Sequence, residues 1–274
     1  MTQSHSKRPT IHTLRGMKEQ GEKITMITCY DYTSARILDD VGAEMLLVGD
    51  SLGMVVHGHE STLRVTLDMM VFHSRAVARG STSAMIVIDL PFATYSASDL
   101  PLSLKSAARA IAEGSAHAVK VEGGRRMAPV VSTLVASGIP VMGHLGLTPQ
   151  SIHMIGGYRV QGRTQEAAER LIAAAHKLEK AGAFAIVLEL VPPELACAIS
   201  SELTIPTIGI GAGAGCDGQV QVFHDIMGMY EEFLPKHSKR YANVAGLMRE
   251  AARSYVEDVR AGRFPADEHS ERSG

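Results

Sequence analysis

A chain of 274 residues, 45% hydrophobic and 20% charged, with formal net charge -2, has the balance of an ordinary globular protein. Its length suits one α/β barrel of about 250 residues, and a core of that size needs no disulfide or structural metal. The charge argues against a nucleic-acid or anionic-membrane partner, which would want a concentrated basic face.

No apolar run approaches the roughly 20 residues that span a bilayer. Met1 to Thr10 is polar and lacks the apolar core of a signal peptide. The three cysteines, Cys29, Cys197 and Cys216, form no Cys-x-x-Cys pair. They read as reduced structural thiols of a cytoplasmic protein.

The first apolar run, Ile24 to Thr28, predicts a strand, followed by a helix from Tyr32 to about Val41 with Gly42 behind it. The second strand is Met45 to Val48. A long loop, Gly49 to Arg64, leads to a helix from Leu67 to about Arg79, with Thr66 as N-cap and Gly80 as the stop. The third strand, Met85 to Ile88, precedes a helix capped by Ser98 or Asp99 and ending near Gly114. The fourth is Ala118 to Val121. After it, Met127, Val130, Val131, Leu134 and Val135 recur at the helical period, up to Gly138.

The fifth strand is Val141 to His144, and the glycine-rich loop Leu145 to Gly162 suits a lid over a site. Gln165 to Lys180 has the strongest helical pattern, with Ala168, Leu171, Ile172, Ala175 and Leu178 on its inner face. The sixth strand is Ala185 to Glu189, followed by a helix from Pro192-Pro193 to about Ser201. The seventh is Thr207 to Ile210. The eighth, Gly218 to Val222, is the weakest, with a helix expected after His224-Asp225 and a terminal helix from about Tyr241 to Ala261.

Strands alternating with helices imply a parallel sheet with right-handed crossovers. Eight such units predict a (β/α)8 TIM barrel, a single domain over residues 1-274 with short polar tails. A doubly wound open sheet competes, but Gly-x-Gly-x-x-Gly after the first strand is absent.

The apolar runs end on polar groups, at the strand ends where such barrels gather their chemistry. Asp50 and Asp89 follow the second and third strands. Neighbouring strands lie about 4.8 Å apart, so two such carboxylates can reach one hard cation such as Mg²⁺. Glu122 can ligate directly or hold a bound water; alternatively, each acid caps a helix or pairs with a nearby base. Lys120 shares a strand face with Glu122 and would either meet an anionic substrate or pair with Asp89 or Glu122. His144 can donate to a substrate oxygen or shuttle a proton; alternatively it is a structural histidine. Glu189, among Val187, Leu188, Leu190 and Val191, is placed for a base, because an apolar setting raises a carboxyl pKa. His57-Gly58-His59 has no third ligand at a zinc spacing.

The segments Leu47-Val48-Gly49-Asp50-Ser51-Leu52-Gly53-Met54, Asp89-Leu90-Pro91-Phe92, Val119 to Gly124, Gly143 to Gln150, Gly156-Gly157-Tyr158, Val160 to Arg163 and Ile208 to Gly213 resemble the motifs of the ketopantoate hydroxymethyltransferase family, in the same order. The resemblance runs from about Ile24 to His269. It implies a barrel that assembles as a homodecamer, a pentamer of dimers. It also implies transfer of a hydroxymethyl group from 5,10-methylenetetrahydrofolate to 3-methyl-2-oxobutanoate, giving 2-dehydropantoate for pantothenate synthesis. By the same resemblance Asp50, Asp89 and Glu122 would form an Mg²⁺ site. Asp50, Ser51, Asp89, Lys120 and His144 would meet the ketoacid, and Glu189 would accept the proton. A barrel related to phosphoenolpyruvate mutase or isocitrate lyase is the nearest alternative, but the lysine-cysteine-glycine signature of that group is absent. A scaffold that had lost turnover would be expected to lack Glu189 or a metal ligand, and all are present.

Overall fold

The computed structural model describes residues 7–271, so the outermost residues of both polar tails lie outside the described part. Eight parallel strands close into a barrel in sequence order. They are β1 Ile24–Thr28, β2 Met45–Val48, β3 Met85–Asp89, β4 Ala118–Glu122, β5 Val141–Gly146, β6 Ala185–Glu189, β7 Thr207–Ile210 and β8 Gly218–Gln221. The open-sheet alternative is thereby excluded, since β1 pairs with both β2 and β8.

The α-helices are α1 Ile11–Gln20, α2 Tyr32–Asp40, α3 Leu52–Val55, α4 Leu67–Gly80, α5 Leu100–Ala112, α6 Ala128–Ala136, α7 Ile152–Ile155, α8 Gln165–Lys180, α9 Pro193–Glu202, α10 Phe223–Ile226 and α11 Val244–Arg260. Local chemistry sets their starts. The side chains of Thr66, Asp99 and Thr164 accept from the backbone N–H groups of Met69, Leu102 and Ala167, each cap contributing about 1 kcal/mol. Gly80 is the last residue of α4 rather than a stop beyond it. A Cβ there would meet the Tyr32 carbonyl oxygen at 2.5 Å, so the glycine lets α4 cross close to α2.

Inside the barrel, side chains alternate with the strand period of two. Met26, Met45, Leu47, Met85, Val87, Ala118, Met142, Val187 and Ile208 fill the interior. Helix α1, which the sequence reading leaves as an unassigned lead-in, joins this cluster. Leu14 is fully buried, and Ile11 and Met17 pack against the same layer. Burying one such leucine contributes about 1.5–3 kcal/mol. Thr10 and Thr13 start α1 with a reciprocal pair of hydrogen bonds.

The barrel lies within the first of two compact units, which divide between Val222 and Phe223. In the second unit, the helix expected after His224-Asp225 is only the single turn of α10. The terminal helix starts at Val244, later than Tyr241, because Asn243 caps it by accepting from Gly246 N–H. Among the described residues, no helix is long and apolar enough to cross a membrane.

Candidate active site

The strand period carries five polar side chains to the C-terminal mouth of the barrel. Asp89 continues the inward series Met85, Val87; Lys120 and Glu122 continue Ala118; His144 continues Met142; Glu189 continues Ala185, Val187. Pairing register sets Asp89 beside Lys120, Glu122 beside His144 and Gly146 beside Glu189. Asp50 arrives differently, from the turn after β2. Its backbone N–H donates to Asp89 Oδ2 at 3.1 Å. A Cβ at Gly49 would lie 2.9 Å from Ser51 Oγ, so a side chain there would push the Ser51 hydroxyl aside. Ser51 Oγ in turn lies 2.9 Å from the Tyr30 hydroxyl.

These groups are buried and interlocked. Lys120 Nζ donates to Asp89 Oδ1 at 2.7 Å and stands 3.9 Å from Glu122 Oε1. Burial alone would lower the Lys120 pKa. The charges of Asp89, Glu122 and Asp50 outweigh that and hold it above the ordinary lysine value, so the ammonium stays charged. His144 lies between two acids, with Nδ1 3.3 Å from Glu122 and Nε2 3.2 Å from Glu189. Neither contact has good hydrogen-bond alignment, so charge rather than direction holds the ring. Burial and Lys120 work against its protonation. Glu122 and Glu189 outweigh them and raise it to about 9. Glu189 therefore faces an imidazolium, and its surroundings are ionic as well as apolar.

Two residues outside the predicted set brace the site. The Gln150 side-chain amide donates to Asp50 Oδ2 at 2.8 Å and to the Leu90 carbonyl at 2.9 Å, while its backbone N–H donates to Glu122 Oε2 at 3.0 Å. The Tyr95 hydroxyl donates to Gln150 Oε1 at 2.7 Å and accepts from Glu122 N–H at 2.9 Å. Gln150 lies within a segment that carries the family resemblance; Tyr95 has no comparable signal. Because Gln150 is anchored, the first third of the loop Leu145 to Gly162 is tied down. Its later part brings Tyr158 near Met54, with hydroxyl to sulfur at 3.8 Å. The Tyr158 pKa is raised, by burial first and then by Glu189, Asp50 and Glu122.

Glu189 is aimed by its own backbone. Leu190 takes φ +46, a left-handed conformation that costs a non-glycine residue about 1–3 kcal/mol. Leu190 N–H donates to the Ile210 carbonyl and Leu147 N–H to that of Glu189. At Gly146, φ is +92 and an added Cβ would fall 2.1 Å from the Glu189 carbonyl oxygen.

The fit to a metal can be judged from these contacts. Among the described residues, no three His, Cys, Asp or Glu side chains converge to hold one ion. Glu122 already receives Gln150 N–H and faces His144 and Lys120, which suits an outer role better than direct ligation. Asp50 is 4% exposed and Asp89 2%. Burial raises the Asp50 pKa well above the usual range, Asp89 and Glu122 raise it further, and Lys120 and Gln150 only partly offset this. Two adjacent buried carboxylates that share one lysine fit a hard cation that keeps several waters.

The cysteines lie outside this constellation. All three are free, and burial pushes the Cys29 thiol up to about 12, far from a thiolate nucleophile.

A family model described as ketopantoate hydroxymethyltransferase matches residues 8–267. A 3-methyl-2-oxobutanoate hydroxymethyltransferase of Syntrophus aciditrophicus is 55% identical over 269 residues, covering 98% of each chain. One of Chloroflexus aurantiacus is 56% identical over 265 residues, covering 97% of this chain and 93% of the relative. Among solved structures, a phosphonopyruvate hydrolase in complex with oxalate and Mg++ superposes with TM-score 0.59 at 12% identity, covering 94% of this chain and 92% of that one. A 2,3-dimethylmalate lyase of the PEP mutase/isocitrate lyase superfamily gives 0.58 at 17%, covering 94% and 88%. At such identities the likeness concerns the fold.

Proposed function

The chain belongs to the ketopantoate hydroxymethyltransferase family, and on that premise we propose that it transfers a hydroxymethyl group from 5,10-methylenetetrahydrofolate to 3-methyl-2-oxobutanoate, giving 2-dehydropantoate, with Glu189 as the base. Family membership makes it an enzyme of hydroxymethyl transfer in pantothenate biosynthesis; the folate donor, the metal and the base are the proposed parts.

The observation that carries this reading is the inward row Lys120, Glu122, His144 and Glu189, set beside the buried pair Asp50 and Asp89. Asp50 and Asp89 would hold Mg²⁺, with Glu122 behind them, and the bound ion would polarise the keto group and stabilise negative charge on its oxygen. Lys120 offsets the substrate carboxylate from a dry site, where a fixed charge acts strongly. Ser51 offers a hydroxyl to the same ligand. His144 Nε2 stands 3.2 Å from Glu189, and Glu189 takes the C3 proton. The ketoacid enolate so formed takes the methylene carbon of the folate: one C–C bond forms, the two C–N bonds to that carbon break, water supplies the hydroxyl oxygen, and tetrahydrofolate leaves.

Exchange of the C3 proton of 3-methyl-2-oxobutanoate in D₂O, followed by NMR with Mg²⁺, tests this chemistry without the folate. Glu189→Gln is expected to slow exchange by about 10²–10⁴-fold, and a chelator to abolish it. Undiminished exchange in Glu189→Gln removes the base; undiminished exchange under chelation removes the metal. Product formation on adding the folate tests the donor. The same reading carries a cytoplasmic homodecamer, which sedimentation equilibrium checks directly. It also makes the part of the loop after Gln150 the moving part of a lid. Equal proteolytic protection with and without ketoacid would set the lid aside.

A further inference from the structure

Two histidines meet outside the inward row of the barrel. His57-Gly58-His59 has no third ligand at a zinc spacing along the chain, but the fold brings another imidazole to it, His73 of helix α4. His57 Nε2 stands 3.2 Å from His73 Nε2, with the two rings edge-on at 84°. Two nitrogens bound to one tetrahedral Zn²⁺ at about 2.0–2.1 Å lie about 3.3 Å apart. The pair is therefore close to ligand spacing.

Hydrogen bonding sets the rings for this task. His73 Nδ1 is 2.6 Å from the Tyr30 carbonyl oxygen. A carbonyl only accepts, so Nδ1 carries the hydrogen, and the neutral ring turns a bare Nε2 lone pair towards His57. Metal-binding histidines are held in the same way, by a carbonyl on the far nitrogen. With no ion between them, His57 Nε2–H donates to that lone pair. When an ion enters, His57 takes the other tautomer, with its hydrogen on Nδ1, and no net proton is released. Burial first, then His73 and His59, lower the His57 pKa, which favours the neutral ring that a metal needs. His59 stacks on His57 with ring centroids 6.0 Å apart. It does not converge with the pair, since among the described residues no three ligating side chains gather. His57 is exposed and His73 half-buried, so an ion has access from solvent and water completes its coordination.

We propose that His57 and His73 form a metal site separate from the carboxylates Asp50 and Asp89, one that takes a borderline divalent ion such as Zn²⁺ or Cu²⁺ and not Mg²⁺. Imidazole nitrogen suits those ions, whereas Mg²⁺ prefers oxygen. The site is near the ketoacid pocket of the proposed function: Tyr30, whose carbonyl His73 holds, has its hydroxyl 2.9 Å from Ser51 Oγ.

EPR of bound Cu²⁺ tests it, because imidazole nitrogen splits the copper signal and carboxylate oxygen does not. One equivalent of Cu²⁺ is added to the full-length protein, with Mg²⁺ in excess to occupy the carboxylates. Coupling to two imidazole nitrogens is expected. Cu²⁺ affinity should fall by at least about tenfold in His57→Ala and in His73→Asn. The first changes an exposed side chain, and the second keeps a donor for the Tyr30 carbonyl; urea unfolding reports that each variant is folded. A wild-type spectrum without nitrogen coupling overturns the site. So does coupling that survives both variants, and loss of affinity in only one of them overturns the pairing.

Discussion

Gln150 donates its side-chain amide to Asp50 Oδ2 at 2.8 Å, joining the loop after β5 to the turn after β2 across a sequence separation of 100 residues. The same amide holds the Leu90 carbonyl, so one side chain ties together two other strand ends. Leaving a buried polar group without its partner costs about 1–3 kcal/mol.

Gln150→Ala is therefore expected to lower stability by about 1–3 kcal/mol in urea unfolding and to weaken ketoacid binding. Gln150→Glu should be worse, because it sets another acid beside Asp50. A Gln150→Ala enzyme with wild-type stability and wild-type ketoacid KM would show that the amide is no brace.

Lys120 and Asp89 form a pair whose side chains are only 5% and 4% exposed. Removing one partner of such a pair strands the other charge, at a cost of about 3–5 kcal/mol. Lys120→Met should show that loss in denaturant titration. The double variant Lys120→Met/Asp89→Asn should lose less than the two single losses added together. Strict additivity would mean that the pair does not act as a unit.

Gly146 stands where any side chain would strike the Glu189 backbone. Gly146→Ala forces a side chain into a left-handed conformation, at about 1–3 kcal/mol, and displaces the carboxylate it was holding in line. Lower stability together with slower C3 exchange is the expected outcome. A variant that loses stability but exchanges at the wild-type rate would separate Gly146 from the aim of Glu189.

His117 supplies a pH dependence remote from the chemistry. Burial first, and the neighbouring Arg8 charge second, lower its pKa to about 4 from an ordinary 6.5. Its ring nitrogen accepts from the Ile86 N–H at 3.0 Å. Between those values the unfolded chain binds a proton that the folded chain does not. The contribution is complete above about 6.5 and is lost as pH falls towards about 4. Unfolding in urea at pH 7 and pH 5 should show wild-type stability dropping, and His117→Gln should flatten that drop. An equal slope in the variant would assign the acid sensitivity elsewhere.

The barrel and its inward row were legible because they follow from short-range rules. Apolar runs of strand length mark buried parallel strands, and a period of two decides which side chains share a face. Asp89, Lys120, Glu122, His144 and Glu189 all obey that period. The motif resemblance then supplied chemical roles that spacing cannot. Helix α1 was missed because one buried leucine among polar neighbours leaves a weak pattern.

What the sequence determined by itself was therefore the order of elements and the direction of each strand-borne side chain, since both depend on neighbours within a few residues. Tertiary structure alone decided that His144 sits between Glu122 and Glu189, that Gln150 and Tyr95 brace the acids, and that His57 meets His73. Those relations depend on how strands stagger around a closed barrel and on where loops return. Contacts between residues tens of positions apart exist only once that closure has fixed the distances.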